Sequence, residues 1–224
     1  LGSKKLGILN YVHHDTNSKV PSTADVFASQ FDVEKIVTDV VELRPKVDYL
    51  VVIPHWGGKC DYGYYPHKEQ VGQAKRIIAA GADALVGHHS HTFQVRSVFN
   101  GKPVYYSLGN FCFADIVTNG EVSKVRKSGK HAAMVGLKFS DAGIEHEIIP
   151  IVNKEGVLLL ENSHLQEYKL HQRLFQWMNA FPPLYKLHYY FLRRWEPVFF
   201  HAEMEGISVA SVAINKLKRI FGIR

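Results

Sequence analysis

Short apolar runs alternate with segments of helical period in the first part of the chain. The runs have the length and composition of buried strands, while the longer segments repeat apolar positions every three or four residues, as amphipathic helices do. We predict strands at Lys5–Tyr11, Tyr49–Pro54 and Ala84–Gly87, and helices at residues 33–44 and 68–80. Asp32 is placed to cap the first helix, Pro45 to end it, and Gly81 to end the second. Strands separated by helices form parallel sheets, so this order predicts an α/β fold.

The pattern then becomes antiparallel. Residues 95–99 and 103–108 flank Asn100-Gly101, a pair that supplies the positive backbone angles of a tight type I′ turn. Residues 132–139 and 144–152 form a second predicted hairpin around a turn at Asp141–Gly143.

The last part of the chain has a different character, since 12 of the 27 aromatic residues follow residue 160. Helical periodicity predicts helices at Ser163–Asn179, Leu184–Arg194 and Ile207–Phe221, broken at Pro182-Pro183 and at Pro197. We therefore predict two domains, residues 1–160 and an aromatic, basic and helical tail at residues 161–224.

Composition excludes several classes of protein. The chain is 46% apolar, which is typical of a soluble globular protein, and its two cysteines are too few to form a disulfide scaffold. A net charge of +6 is too diffuse for a nucleic-acid footprint, so no nucleic-acid partner is predicted. No apolar run is long enough to span a bilayer. The chain begins with Leu1 and its first methionine is Met134, so we expect that an N-terminal portion has been lost.

Histidines follow two consecutive predicted strands at the point where each strand ends. His55 follows the second strand, and His88, His89 and His91 follow the third. Because neighbouring parallel strands end at the same edge of a sheet, the two sets are expected to lie close together, where open α/β sheets bind ligands. In extended backbone His89 and His91 would point the same way and His88 elsewhere. Their neutral imidazoles suit zinc, iron or manganese.

Other residues of chemical interest have simpler explanations. The remaining nine histidines read as solvated or packed residues, with His67 near enough to contact a substrate or support a ligand. Cys60 pairs with a histidine only through sequence proximity, and Cys112 is expected to pack beside Phe111 and Phe113. Asn110 either donates to a substrate or turns the chain.

Five segments together resemble one known family. These are ILNYVHHDTN at residues 8–17, HWG at 55–57, YYP at 64–66, GHHSH at 87–91 and YSLGNF at 106–111. They resemble the CapA proteins, which are associated with bacterial poly-gamma-glutamate capsule synthesis and have a fold like that of the calcineurin-type metallophosphoesterases. The resemblance runs from about Lys4 to Val152 and implies part of a four-layer α/β/β/α sandwich.

This resemblance also implies roles for individual residues and a cofactor of two divalent ions (manganese, iron or zinc) in the intact protein. The implied metal ligands are His55, His89 and His91; the implied catalytic residues are His55, His88 and Asn110; the implied substrate contacts are Trp56, Lys59, Tyr65 and Asn110.

The sequence also departs from the family. The family's early Gly-Asp, Asn-Leu-Glu and Asn-Asn-His segments supply the bridging and carboxylate ligands of its metal site, and they do not occur in this sequence. We therefore expect that this chain contains half of the metal site and is an inactive fragment. The family often has a glutamate shortly after HWG, where this chain has Gly58–Asp61. Lys59 therefore puts a positive charge at a position where the resemblance implies a substrate contact through a glutamate. The tail lies outside the shared region.

Two functions remain in competition, with a third hypothesis for the tail. The first is a metal-dependent hydrolase, in which activated water attacks a polymer or phosphoester bond. The second is a non-catalytic component of a capsule or polysaccharide assembly or export complex, which holds an acidic polymer through Lys59, Lys102 and nearby imidazoles. Residues 207–224 combine apolar and basic positions, and either contact a membrane surface or pack on protein. The resemblance suggests a membrane-associated or cell-surface protein of a bacterium, working with other capsule-synthesis proteins.

Overall fold

The computed structural model describes residues 3–14, 16, 23, 25, 28–113, 115–154 and 156–221. Its strands are β1 Leu6–Val12, β2 Tyr49–Trp56, β3 Ala84–Val86, β4 His88–His89, β5 Arg96–Phe99, β6 Lys102–Tyr105, β7 Ile116–Thr118, β8 Glu121–Ser123, β9 His131–Ser140, β10 Gly143–Lys154 and β11 Val157–Leu160. Its helices are α1 Val33–Leu43, α2 Lys68–Ala80, α3 Leu165–Ala180, α4 Pro182–Glu205 and α5 Val209–Phe221.

A largely parallel sheet carries the first half of the chain. Its order is β1-β2-β3-β6-β5, with the two-residue strand β4 also paired to β2. The pairs β1–β2, β2–β3 and β3–β6 are parallel, and only the hairpin β5–β6 is antiparallel. This topology confirms the predicted α/β class.

Local signals in the sequence explain the helices beside this sheet. The Asp32 side chain accepts hydrogen bonds from the backbone N–H groups of Glu34 and Lys35 and so caps α1. Helix α2 has the predicted bounds and ends at Gly81, whose φ of 125° suits a residue without a Cβ.

Both predicted hairpins are confirmed. Asn100 and Gly101 have φ values of 51° and 74°, as a type I′ turn between β5 and β6 requires. Strands β9 and β10 pair antiparallel, and β11, which was not predicted, adds to them a third strand. Also unpredicted is the small hairpin β7–β8.

The two larger sheets share one apolar cluster. Tyr105 of the parallel sheet is fully buried in it with Ala133 of β9, Phe93 and Tyr168, and Val135 and Ile148 pack against them. The Tyr49 and Phe139 rings stack across the same two sheets, with centroids 4.8 Å apart. This face-to-face contact is that of an α/β sandwich, as predicted.

The helical tail contains one correction. The break predicted at Pro182-Pro183 is present between α3 and α4, but α4 continues through Pro197 to Glu205. A proline removes one backbone hydrogen bond from a helix. After Pro197, Val198 and Ala202 lie one turn apart on α4, and both are buried. Burial of these side chains offsets the lost bond.

Contacts divide the chain into two compact units. The first contains residues 1–113 and 128–172, and the second residues 114–127 and 173–224. The domain boundary near residue 160 stays a prediction. Within the described part of the chain, no helix combines the length and the apolar character needed to cross a bilayer.

Candidate active site

Histidines gather at the carboxyl edge of the parallel sheet because the ends of three strands meet there. Val12 of β1 lies opposite His55 of β2, and His55 lies opposite His88 of β4. The backbone N–H of His13 donates to the His55 carbonyl oxygen at 2.8 Å, which ties the end of β1 to that of β2. The predicted meeting of the two histidine sets at one edge is confirmed.

A cavity of about 520 Å³ opens at this edge. His55 and His88 both line it, together with Tyr11, Thr16 and Ser29. Burial lowers the pKa of His88, and the nearby His55 lowers it further, so His88 is neutral at neutral pH. His88 thus shares a cavity with His55 that neither His89 nor His91 lines, in keeping with the expectation that His88 points elsewhere than those two rings.

His89 is held from both sides of its ring. Its Nδ1 lies 3.0 Å from the Thr16 hydroxyl, and its Nε2 lies 3.5 Å from a carboxylate oxygen of Asp61. The His55 ring meets the His89 ring edge-on, with centroids 4.8 Å apart. Sequence reasoning missed Thr16 and gave Asp61 no contact with a histidine; both lie on loops that the strand pattern does not position.

His91 is oriented by Asn110. The buried Asn110 side chain donates from its amide nitrogen to the Gly129 carbonyl oxygen at 3.0 Å, and its amide oxygen lies 2.8 Å from His91 Nδ1. An amide oxygen only accepts, so Nδ1 of His91 carries a hydrogen. Tyr62 stacks on the same ring at 5.4 Å. Asn110 thus leaves Nε2, and not Nδ1, as the His91 nitrogen that could bind a metal ion.

The backbone of this segment is not extended. His89 and His91 have φ values of 112° and 59°, in the region that favours glycine. The expectation that an extended backbone would point the His89 and His91 side chains the same way is therefore wrong, because the backbone has a positive φ at both residues. Strained backbone at non-glycine residues is concentrated at functional sites.

Ring spacing tests whether neighbouring pairs of the predicted ligands could share one transition-metal ion. A ligand imidazole has its centroid about 3.2 Å from the ion, so two rings on one ion lie within about 6.4 Å of each other. The His55–His89 and His89–His91 centroids are 4.8 and 6.3 Å apart. Among the residues that the structure describes, no group of three or more His, Cys, Asp or Glu side chains is arranged to hold an ion. Each of these two pairs is therefore close enough to share an ion, while the described residues do not form a complete metal site.

The predicted substrate contacts are mostly tied into the fold. Trp56 is 1% exposed and donates its indole N–H to the Tyr106 carbonyl oxygen at 3.0 Å, so it has no surface to offer a substrate. Tyr65 is buried, and its hydroxyl lies 2.6 Å from His171 Nδ1. Lys59 lies in the turn Gly58–Cys60, and its side chain is outside the described residues.

Lys102 does not reach this site. It begins β6, and its ammonium pairs with Asp83, which directly precedes β3, at 3.1 Å. β3 and β6 are parallel, so this pair lies at the amino edge of the sheet while the histidines lie at the carboxyl edge. The expectation that Lys102 and the imidazoles share a cleft is wrong.

Neither cysteine forms a disulfide, and the predicted packing of Cys112 is wrong. Cys112 is exposed and so is Phe111, so Cys112 does not pack as a small apolar residue beside it.

His67 caps α2, since its side chain accepts from the backbone of Gln70 while the Gln70 side chain accepts from the His67 N–H.

Comparison with known proteins agrees with the motifs. Residues 2–115, just over half of the chain, match the family described as bacterial capsule synthesis protein PGA_cap. The PGA biosynthesis protein CapA of Bacillus subtilis is 39% identical over 82 residues, which cover 37% of this chain and 21% of that protein. The capsule biosynthesis protein CapA of Bacillus anthracis is 32% identical over 132 residues, which cover 58% of this chain and 29% of that protein. The chain thus spans less than a third of the length of these relatives.

Among solved structures, the NAD nucleotidase of Haemophilus influenzae has 16% identity and a TM-score of 0.37, covering 86% of this chain and 36% of that one. This likeness is too weak to assign a shared fold, and the α/β class depends on the sheet topology itself. The family match, in contrast, includes His55, His88, His89, His91 and Asn110. The chain belongs to the bacterial capsule synthesis protein family PGA_cap.

Proposed function

We propose that the chain supplies the histidine half of a metal-dependent hydrolytic centre that acts in the synthesis of a bacterial capsule or exopolymer. The observation that carries this proposal is the meeting of His55, His88, His89 and His91 at one sheet edge, beside a cavity of about 520 Å³. Family membership supports the biological setting.

His55, His89 and His91 are the residues proposed to hold a divalent ion of manganese, iron or zinc. Such an ion would polarise the scissile bond and increase the acidity of water at the site. The protein's contribution is orientation: Asn110 sets the hydrogen on His91 Nδ1, while Thr16 and Asp61 restrain the His89 ring.

His88 is proposed as the proton acceptor. Its pKa is lowered by burial and by His55, so its ring is neutral at neutral pH and retains a lone pair. It faces the same cavity as His55, which would place a bound substrate beside both imidazoles.

The substrate class proposed is an acidic polymer such as poly-gamma-glutamate, or a phosphoester. A second ion would require carboxylates from outside this chain, whose sequence lacks the family's early segments. We further propose that the intact protein works at the membrane or cell surface with other capsule-synthesis proteins.

Metal content tests the proposal directly. The chain, equilibrated with Mn²⁺ or Zn²⁺ and desalted, is expected to retain at least one ion, measured by plasma mass spectrometry. His89→Ala and His91→Ala should each lose it, whereas His188→Ala, in a helix of the second unit, should retain it. Undiminished metal in both site variants would contradict the proposal.

The alternative is a non-catalytic module that holds an acidic polymer at the same edge. It is the weaker candidate because Lys102 is paired at the opposite edge. Polymer binding that falls with salt and ignores chelator would favour this module, while chelator-sensitive release of product would favour the hydrolase.

A further inference from the structure

Helix α3 presents apolar side chains on two different faces. Phe175 and Met178 are buried. On the other face Leu170, Leu174 and Trp177 are exposed at spacings of four and three residues, with Trp177 72% exposed. Phe181, 63% exposed, continues this stripe because its N–H donates to the Trp177 carbonyl oxygen at 3.1 Å. A helix that is apolar on both faces needs a second apolar environment.

Helix α4 extends the same character. Leu184, Leu187 and Phe191 are exposed at spacings of three and four residues, and Leu187 is 66% exposed. Tyr190, beside them, is also exposed. We name the exposed apolar residues of α3 and α4 that belong to the second unit the aromatic stripe; its members are Leu174, Trp177, Phe181, Leu184, Leu187, Tyr190 and Phe191. Tryptophan and tyrosine with leucine are the side chains enriched where protein meets a membrane interface.

Charge in this part of the chain is predominantly basic, although Glu196, Glu203 and Glu205 lie between two wholly basic segments. Residues 173–195 contain four Lys or Arg and no Asp or Glu, and residues 206–224 again contain four Lys or Arg and no Asp or Glu. Lys186 is exposed among the stripe residues of α4, and Lys218 is exposed on α5. Two copies of so basic a surface would repel each other, whereas an anionic lipid headgroup layer would attract it.

We propose that the aromatic stripe of the second unit lies on an anionic membrane surface, with its apolar side chains at the acyl boundary and its basic side chains among the headgroups. This role is independent of the hydrolytic function proposed above, since it uses none of the histidine edge.

Vesicle binding tests the proposal with the full chain. We expect co-sedimentation with vesicles of phosphatidylcholine and phosphatidylglycerol but not with phosphatidylcholine alone. Raising NaCl from about 0.1 M to about 1 M, which shortens the Debye length from about 10 Å to about 3 Å, should release most of the protein. The tryptophan emission should shift to shorter wavelength and be quenched by brominated acyl chains, and Trp177→Phe, which leaves the buried Trp56 and the partly buried Trp195, should reduce both effects.

Matched variants separate the stripe from general stickiness. Replacing Trp177 and Phe181 by Glu is expected to lower the partition coefficient at least about tenfold, because both apolar burial and charge attraction are lost. Val41→Glu, at a comparably exposed position of α1 in the first unit, should change it less than about twofold. Circular dichroism checks that each variant is folded. Lys186→Glu, which changes an exposed side chain, is a second variant that should also lower the partition coefficient because it removes a positive charge.

Three outcomes would overturn the proposal. They are no preference for anionic vesicles, equal binding by the stripe variant and Val41→Glu, and a dimer in lipid-free solution that dissociates on substitution of Trp177 and Phe181. The last result would assign the stripe to a second copy of the chain.

Discussion

The amide oxygen of Asn110 accepts a hydrogen bond from Nδ1 of His91 at 2.8 Å, while the amide nitrogen of the same side chain is committed to the Gly129 carbonyl oxygen. One buried side chain therefore fixes both the tautomer and the direction of the His91 ring. The YSLGNF motif, which ends beside this residue, thereby gains a physical role in the site.

Asn110→Ala is expected to weaken metal binding without removing a ligand. Loss of a group that orients a ligand histidine lowers metal affinity about 10- to 100-fold. Asn110→Asp can still accept from His91 but cannot donate to Gly129, so it should keep more affinity than the alanine variant. Titration with Zn²⁺ against a competing chelator measures this order, and equal affinity of all three forms would contradict the positioning role.

Stability should fall on mild acidification because several partly or fully buried histidines have lowered pKa values. Burial lowers the pKa of His171, His146 and His164 below the usual 6.5. The unfolded chain then binds protons more readily than the folded chain, so the stabilising contribution is complete above pH 6.5 and is lost as the pH falls.

The Tyr65–His171 contact offers the clearest variant for this pH dependence. Burial raises the pKa of Tyr65 to about 12, so its hydroxyl keeps the proton and donates to Nδ1 of His171. In chemical denaturation between about pH 7.5 and about pH 5, His171→Gln should reduce the slope of unfolding free energy against pH, by at most about 1.4 kcal/mol per pH unit. An unchanged slope would show that His171 does not contribute.

Asp83 is expected to matter for stability and not for the site. It accepts from the backbone N–H of the fully buried Leu50 and pairs with both Arg44 and Lys102. Asp83→Ala would leave the Leu50 N–H without this acceptor and remove the carboxylate partner of Arg44 and Lys102, and should lower the free energy of unfolding by about 3 kcal/mol. Metal content should not change. Asp141→Ala, which removes an exposed partner of Lys4, should have little effect on either quantity.

Gly87 is required by the close approach of two backbones just before the histidines. A Cβ at this position would lie 2.1 Å from the Tyr106 carbonyl oxygen and 2.6 Å from the Trp56 indole nitrogen. Gly87→Ala is therefore expected to destabilise the protein by about 3 kcal/mol and to displace His88 and His89. The control is Gly72→Ala, in open space on α2, which should stabilise by up to about 1 kcal/mol. Thermal unfolding distinguishes the two.

Local chemistry explains which elements could be predicted. Helix α2 has the predicted bounds because its apolar period and Gly81 act within a few residues. The hairpin at Asn100-Gly101 is equally local. The continuation of α4 through Pro197 could not be predicted, because it depends on the burial of Val198 and Ala202.

The candidate site was predictable in location but not in geometry. Strand order places His55 and His88 at one edge, and this follows from the sequence. The contacts of His89 with Thr16 and Asp61 depend on loop paths that no periodic pattern encodes. The same is true of Lys102, whose pairing at the far edge follows from the register of β3 with β6.

The positive φ of His89 means that the side chain needed for the proposed chemistry is not the one that best suits the backbone. Glycine would adopt a φ of 112° without the steric cost that a Cβ imposes there, so His89→Gly should tolerate more denaturant than His89→Ala. A directed-evolution screen for thermal robustness alone would thus tend to replace this histidine by glycine. The most thermostable variants from such a screen are expected to lack the imidazole at position 89.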